Sequence, residues 1–174
     1  MKGLVNIGLS PNLEADDVRL AIRIMLTGKN KDAKQRLVAW FEDYFPGNRA
    51  VLFNSGRSAE WAIIKALELE TGDEVLVQDF TCVAVPNSVH WAGVKTVDVK
   101  VKPGTYNIDP EDLEKKVTKN SRAVIVQHTF GQAAELTKII AICKKYRLIL
   151  IEDCAHALGA SYKNRLLGTW GDVS

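Results

Sequence analysis

The chain has 174 residues, 47% of them hydrophobic and 25% charged, a composition typical of a soluble globular protein with a sizeable core. The net charge of +2 is too small to indicate binding to nucleic acid or to an acidic membrane, and no stretch reaches the roughly 18 consecutive apolar residues of a membrane span. Three cysteines without C-x-x-C spacing argue against a zinc site and a disulfide scaffold, and with no signal-peptide pattern we expect a cytoplasmic protein.

The first part of the chain has the pattern of two amphipathic helices. Apolar residues recur at helical spacing over Ala15–Thr27 and again over residues 32–44. Pro46 and the glycine after it end the second helix, and the pattern changes beyond them. We therefore predict an N-terminal helical arm over residues 1–46 and a second domain over residues 47–174.

From residue 50 onward, short apolar runs alternate with helical stretches, the pattern of a sheet flanked by helices. We therefore predict an α/β domain. Its strands are expected near residues 50–53, 74–77, 95–99, 122–127 and 148–151, and its helices near residues 58–69, 83–91, 110–117 and 133–146.

The stretch 148–159, L-I-L-I-E-D-C-A-H-A-L-G, combines the pattern of a buried strand with polar residues where that strand ends. Ligands of open α/β sheets bind just beyond the carboxyl ends of such strands, which is where Glu152, Asp153 and His156 stand. A buried carboxylate needs a cationic partner or hydrogen bonds, and a protonated pyridine nitrogen is one such partner. An aspartate that caps the next helix is an equally weighted alternative.

The sequence N-S-G-R-S at residues 54–58 follows an apolar run and opens a predicted helix. Gly56 permits a close backbone approach, and the free N–H groups of the helix start, together with Ser58 and the Arg57 guanidinium, suit a phosphate. The pattern is neither a P-loop nor a G-x-G-x-x-G motif. A serine N-cap on a turn is the alternative, and these residues alone favour it slightly.

Two more groups follow strands at the same expected edge. Phe80, in D-F-T-C, is placed to cover a planar ring, although core packing is the commoner role of such an aromatic. Cys82 is a possible nucleophile, but no neighbour in sequence indicates an activated thiol. His128 could line a substrate pocket or be a hydrogen-bonded loop histidine, and both interpretations stay open.

The chain contains, in order, N-S-G-R-S-A, G-D-E-V-L-V-Q-D-F-T, G-T-Y-N-I-D-P-E-D-L, F-G-Q, I-E-D-C-A-H-A-L-G-A-S-Y and G-T-W-G-D-V-S. This ordered set resembles the DegT/StrS-type sugar aminotransferases, and the resemblance covers nearly the whole chain, from Ser10 onward. These are enzymes of the aspartate aminotransferase superfamily, fold type I, with pyridoxal 5'-phosphate as cofactor. The resemblance implies a three-layer α/β/α large domain with a mostly parallel mixed sheet.

The resemblance also assigns roles to residues of the predicted site. Asp153 would bind the pyridinium nitrogen, and each pKa unit by which it favours the protonated ring is worth about 1.4 kcal/mol. His156, where many relatives have glutamine, would reach the phenolic oxygen of the cofactor. The phosphate would be held by Gly56, Arg57 and Ser58.

The chain departs from the family pattern at two of these positions. Relatives usually have threonine in place of Arg57, and an arginine can still bind a phosphate. They have an aromatic that stacks on the cofactor ring in place of Cys82. Because cysteine cannot stack in this way, two alternatives stay open: Phe80 substitutes for the missing aromatic, or the ring is held more loosely.

In the family, the lysine that forms the Schiff base lies shortly beyond the motif matched by Gly171 and Asp172. We therefore assign no catalytic residue within the chain, and we expect it to be the N-terminal portion of an enzyme, inactive alone and homodimeric when complete. The implied substrates are a nucleotide-linked keto sugar and an amino donor such as glutamate. The alternatives are a noncatalytic remnant or binding module, and a dehydratase-type relative with histidine in place of the lysine.

Overall fold

The computed structural model of the protein describes residues 13–27 and 32–174. The chain divides into two compact units, a first that ends at Val51 and a second that runs from Leu52 to Ser174. The predicted division between residues 46 and 47 stays a prediction, and the part of the predicted arm before residue 13 lies outside the described residues. Within the described residues, no helix is both long enough and apolar enough to cross a bilayer.

The first unit contains the two predicted helices, α1 (Ala15–Thr27) and α2 (Ala33–Tyr44). The aromatic residues of α2 contact one another along the helix. The rings of Trp40 and Tyr44 stack at 4.9 Å, and the ring of Phe41 lies edge-on to Trp40 at 5.0 Å. These contacts are what packing of an amphipathic helix requires.

The second unit has alternating helices and strands, as the sequence predicts. Its main helices are α3 (Gly56–Ala66), α4 (Ala84–Trp91), α5 (Pro110–Lys116) and α6 (Leu136–Tyr146). Its main strands are β1 (Glu74–Gln78), β2 (Lys95–Val99), β3 (Ser121–Gln127) and β4 (Ile149–Asp153). A 3₁₀ turn at Thr129–Gly131 and a hairpin of β5 (Ser161–Tyr162) and β6 (Arg165–Leu166) complete it.

The four main strands form one sheet in the order β2-β1-β3-β4, and every neighbouring pair is parallel. Successive side chains of a strand point to opposite faces, so a sheet covered on both faces has two cores. One core packs against α5 and α6 and contains Leu76, Val124, Leu150, Leu113, Leu136 and Ile139. The other packs against α3 and α4 and contains Val75, Ile125, Ile151, Ile64, Val85 and Val89. The three-layer α/β/α fold is confirmed.

The strand predicted at residues 50–53 is wrong, because this segment forms no strand in the structure. A strand needs a hydrogen-bonded neighbour, and no other described segment pairs with it. Val51 is 73% exposed and Phe53 46%, so the apolar run that suggested a buried strand lies largely open. Hydrophobicity alone therefore does not make a strand where the partner is lacking.

The outer edge of β4 is contacted by the last residues of the chain. Val173 forms a parallel bridge with Ile151, and its carbonyl accepts a hydrogen bond from the N–H of Glu152 at 2.9 Å. The N–H of Leu150 donates to Asp172 Oδ2 at 2.8 Å. Residues 172–173 thus continue the pattern of the sheet beyond β4.

Candidate functional site

Polar residues end three neighbouring strands at one edge of the sheet. Gln78, Gln127 and Asp153 are the last residues of β1, β3 and β4, and Gln127 is paired in register with Asp153. Because the strands are parallel, their carboxyl ends share this edge. The strand ends predicted after residues 77, 127 and 151 meet at this edge, but the one predicted at residue 53 does not, because residues 50–53 form no strand.

Gln78 joins the loops that follow three of the strands. Its Nε2 lies 2.8 Å from the carbonyl of Phe80, 3.0 Å from Thr129 Oγ1 and 3.1 Å from the carbonyl of Tyr106. Its Oε1 is buried without a hydrogen-bond partner. Sequence reasoning missed Gln78, although a polar residue directly after the apolar run of a central strand was a signal that could have found it.

An exposed aromatic cluster lies on the loops that Gln78 joins. The ring of Phe80 lies 4.9 Å from Tyr106 and 6.3 Å from Phe130, and Phe130 stacks on His156 at 6.0 Å with 6° between the ring planes. Tyr106 and Phe130 both adopt left-handed backbone angles, with φ of +57° and +53°. The structure therefore brings two predicted residues, Phe80 and His156, into one cluster through aromatics that the sequence reasoning had not singled out.

The start of α3 has the features of an anion site and of a serine cap at once. Ser55 Oγ accepts from the N–H of Ser58 at 3.2 Å, which is the N-cap expected as an alternative. The N–H groups of Gly56 and Arg57 have no intrahelical acceptor, because they lie in the first turn. A Cβ built on Gly56 meets nothing within 4 Å. Two donors and open space are thus available at one helix start.

Arg57 adds a third donor near this helix start. Its Nε is buried and has no hydrogen-bond partner, while its guanidinium carbon lies 5.2 Å from the centre of the Trp91 ring. A buried N–H without an acceptor costs free energy, and an anion would supply the missing acceptor. The residues present therefore fit a phosphate group.

Asp153 offers one free carboxylate oxygen. Its Oδ1 accepts from the N–H of Ala155 at 3.0 Å, a local turn contact that matches the capping alternative in part. No described donor contacts Oδ2. The side chain is half-buried, so the second oxygen remains open to a cation.

Glu60, which sequence reasoning missed, links the start of α3 to the end of β4. It lies one turn after Arg57 and is half-buried, and its Oε2 is 3.1 Å from Ser88 Oγ of α4. Burial and, next, the negative charge of Asp153 raise the pKa of Glu60 to about 7, while Ser88 and Arg57 act in the opposite direction. Arg57 and Asp153 therefore both lie within electrostatic reach of one carboxyl group.

His128 and Glu152 form a buried pair with a structural role. The N–H of Ala134 donates to His128 Nδ1 at 3.2 Å, so the ring proton lies on Nε2, which donates to Glu152 Oε2 at 3.1 Å. His128 is thus a hydrogen-bonded loop histidine. Glu152 also accepts from the N–H groups of Gly168, Trp170 and Gly171. Burial opposes ionisation of Glu152, but these hydrogen bonds outweigh it and lower its pKa.

Cys154 lies beside this pair, and the three side chains place their ligand-type atoms within 4.8 Å of one another. Burial and the nearby carboxylates raise the pKa of the Cys154 thiol to about 12, so it stays protonated. The lone pairs and protons of His128 and Glu152 are used in their own hydrogen bonds. A metal ion would have to break all of these contacts, and the cluster is better described as a structural one.

Cys82 is exposed, in the turn before α4, and the structure records no side-chain contact between it and the other predicted site residues. The predicted residues thus fall into two connected groups and one separate residue. Arg57 and Asp153 are linked through Glu60, and Phe80 and His156 are linked through Phe130.

Comparison with known proteins gives one consistent match. Residues 14–174 match the DegT/DnrJ/EryC1/StrS aminotransferase family. The chain is 35% identical to a pleiotropic regulatory protein of Geobacillus stearothermophilus over 91% of its length, and 37% identical to a dTDP-3-amino-3,6-dideoxy-alpha-D-galactopyranose transaminase of Aneurinibacillus thermoaerophilus over 77%. It covers 42% and 37% of these two proteins.

The fold is also similar to that of solved aminotransferases. The structure superposes on an aminotransferase from Psychrobacter cryohalolentis with a TM-score of 0.84 at 28% identity, covering 92% of this chain and 42% of that one. The chain therefore spans less than half of the length of each of these three proteins.

Proposed function

Because the chain belongs to the DegT/DnrJ/EryC1/StrS aminotransferase family, we propose that it carries the cofactor-binding part of a pyridoxal 5'-phosphate-dependent aminotransferase. The amino acceptor is a nucleotide-linked keto sugar, and the donor is an amino acid such as glutamate. The sugar transaminase among the relatives supports this substrate class. One observation carries the proposal most: Arg57, whose buried Nε has no acceptor at the start of α3, and the carboxylate of Asp153 both act electrostatically on the same side chain, Glu60.

The phosphate end of the cofactor fits the start of α3. The N–H groups of Gly56 and Arg57 point out of the helix, and the positive end of the helix dipole favours an anion there. The orphaned Nε of Arg57 would gain an acceptor. The hydroxyl of Ser58 lies 2.9 Å from Ser55 Oγ and can turn toward a phosphate oxygen.

The ring end of the cofactor fits the edge of β4. Asp153 holds its carboxylate in one orientation through the Ala155 contact and keeps Oδ2 free for the ring nitrogen. When bound, pyridoxal 5'-phosphate acts as an electron sink, and the charge of Asp153 favours the protonated ring that makes it effective. We assign His156 to the phenolic oxygen of the cofactor, and Phe80 and Cys82 to the face of the ring. No lysine of this chain is assigned the covalent role.

The proposal is tested by titrating the chain with pyridoxamine 5'-phosphate in a calorimeter. This ligand has the ring and the phosphate but no aldehyde, so it cannot react with surface lysines. Asp153→Asn is expected to weaken binding roughly 10- to 100-fold, because a hydrogen bond to a charged group is worth about 1.5–3 kcal/mol. Asp98→Asn, an exposed position on β2, is the matched control and should bind as the natural chain does.

Equal affinity of the Asp153→Asn variant and the natural chain would remove Asp153 from this role. We further propose, from the resemblance, that the working enzyme is a cytoplasmic homodimer. Sedimentation of the purified protein measures the association state directly.

A further inference from the structure

Glu60 is the only described glutamate whose pKa is raised, and it occupies a position that the proposed function does not use. The groups that face it come from three elements. Arg57 precedes it by one turn on α3, Ser88 contacts it from α4, and Asp153 acts on it from the end of β4. No described lysine or arginine forms an ion pair with it. A carboxylate in this place has a like charge as neighbour and no paired counter-ion.

The hydrogen bonds of Ser88 indicate where a proton lies. Its Oγ is 2.7 Å from the carbonyl of Val85 and 3.1 Å from Glu60 Oε2. A hydroxyl has one hydrogen but can accept as well as donate. Ser88 can donate to an ionised Glu60, but the carbonyl of Val85, which can only accept, is the nearer partner and competes for the same hydrogen. Both contacts are satisfied at once if Glu60 carries a proton and donates it to Ser88 Oγ.

We propose that Glu60 holds a proton while no cation is bound beside Asp153, and that it releases this proton to solvent when a pyridinium group binds there. Glu60 thereby acts on the bound group through the charge of Asp153, as a positioning residue. The inference rests on the proposed function for Asp153. In this step the O–H bond of the Glu60 carboxyl group breaks, the electron pair stays on its oxygen, and the proton passes to solvent.

Electrostatics gives the reason for this coupling. Two ionised carboxylates close together repel each other, and burial adds to the cost, so the pair holds one proton near neutral pH. Burial is the largest cause of the raised pKa of Glu60, so we place this proton on Glu60. A cation bound to Asp153 cancels the repulsion and lowers the pKa of Glu60. Cofactor binding and proton release are therefore linked.

The first test needs no cofactor. The full chain is labelled with ¹³C at its glutamate carboxyl carbons, and the signal of Glu60 is identified by its disappearance in Glu60→Gln. Its titration midpoint is expected at about pH 7 in the natural chain and at a lower pH in Asp153→Asn. Glu70→Gln, an exposed position beyond the same helix, should leave the midpoint unchanged.

A midpoint in the ordinary range of a glutamate would overturn the inference, whatever the cofactor does. So would a midpoint that does not move in Asp153→Asn. The first of these results does not depend on the Asp153→Asn variant, so poor folding of that variant cannot leave the question open.

The second test counts protons during binding. Pyridoxamine 5'-phosphate is titrated into the natural chain and into Glu60→Gln in two buffers of different ionisation enthalpy. At about pH 6.5 the natural chain should release more protons per ligand than Glu60→Gln, and at about pH 8.5 the two should agree, because Glu60 is then already ionised. Subtracting the variant removes the proton changes of the ligand itself.

The outcomes of this test are distinct. Intact binding with the same proton count in both chains at about pH 6.5 overturns the coupling and leaves the proposed function standing. Failure of both chains to bind the ligand contradicts the proposed function, and the carboxyl titration then decides on Glu60 alone.

Discussion

At the residue scale, two glycines differ in the space that surrounds them. A Cβ on Gly171 would lie 2.6 Å from the carbonyl oxygen of Leu150, which is backbone and cannot move aside cheaply. Gly171→Ala is therefore expected to lower the free energy of unfolding by about 1–3 kcal/mol, the cost of overpacking a filled site. Urea unfolding followed by circular dichroism measures this change.

Gly56→Ala is the matched control, because its added methyl meets nothing within 4 Å. Its stability should equal that of the natural chain or exceed it slightly, since alanine favours a helix. Its affinity for pyridoxamine 5'-phosphate should nevertheless fall, because the methyl group occupies the space proposed for the phosphate. A large loss of stability in Gly56→Ala, or none in Gly171→Ala, would contradict these assignments.

At the element scale, Glu152 connects β4 to the segment 168–171. Three backbone N–H groups of this segment and the ring of His128 donate to its carboxylate. A carboxylate with a lowered pKa adds stability that is fully present above its unfolded value, near 4.5, and is lost as the pH falls through the folded value. Glu152→Gln, which cannot ionise and offers one acceptor oxygen instead of two, removes this contribution to the free energy of unfolding.

The expected result is a variant that is less stable than the natural chain above about pH 5, by an amount that does not change with pH there. Below that pH, the difference should shrink as the natural chain binds its proton. Unfolding curves at several pH values, with Glu70→Gln as an exposed control, measure it. A difference that stays constant down to about pH 2 would show that folding does not lower the pKa of Glu152.

Periodicity in the sequence was sufficient to predict α1, α2, α4 and the strands of the sheet, because apolar residues recur in them at helical spacing or in short runs. It failed at residues 50–53, where pairing depends on a partner and not on local hydrophobicity. It also failed at Glu60, which looks like an ordinary polar helix residue. The environment of Glu60 is created by Ser88 and Asp153, which are distant in sequence, so only tertiary structure reveals it.

At the scale of the whole molecule, we expect the chain to bind the cofactor without catalysing transamination. The described lysines make no contact with Asp153, Arg57 or His156, and several are engaged with glutamates at the surface, as Lys145 is with Glu114. The 174-residue chain by itself should therefore bind pyridoxal 5'-phosphate without converting it to the amine form when glutamate is added. Absorbance spectra, with borohydride reduction and peptide mapping, follow both steps.

One stoichiometrically labelled lysine, together with conversion of the cofactor, would show that the chain contains a complete catalytic site. Scattered substoichiometric labelling is the expected pattern, because surface lysines such as Lys163 react without being positioned. Lys163→Arg serves as a control that should leave cofactor binding unchanged.

The strand order also determines when the sheet can form as the chain leaves the ribosome. Residues 74–99 supply β1 and β2, which can pair with each other as soon as both have emerged. The other edge of β1 must wait for β3, the strand that fills the middle of the sheet. Until β3 has emerged as well, β1 keeps an unpaired edge of valine and leucine that can recruit another nascent strand, and a chaperone that covers this edge would benefit the protein during that interval.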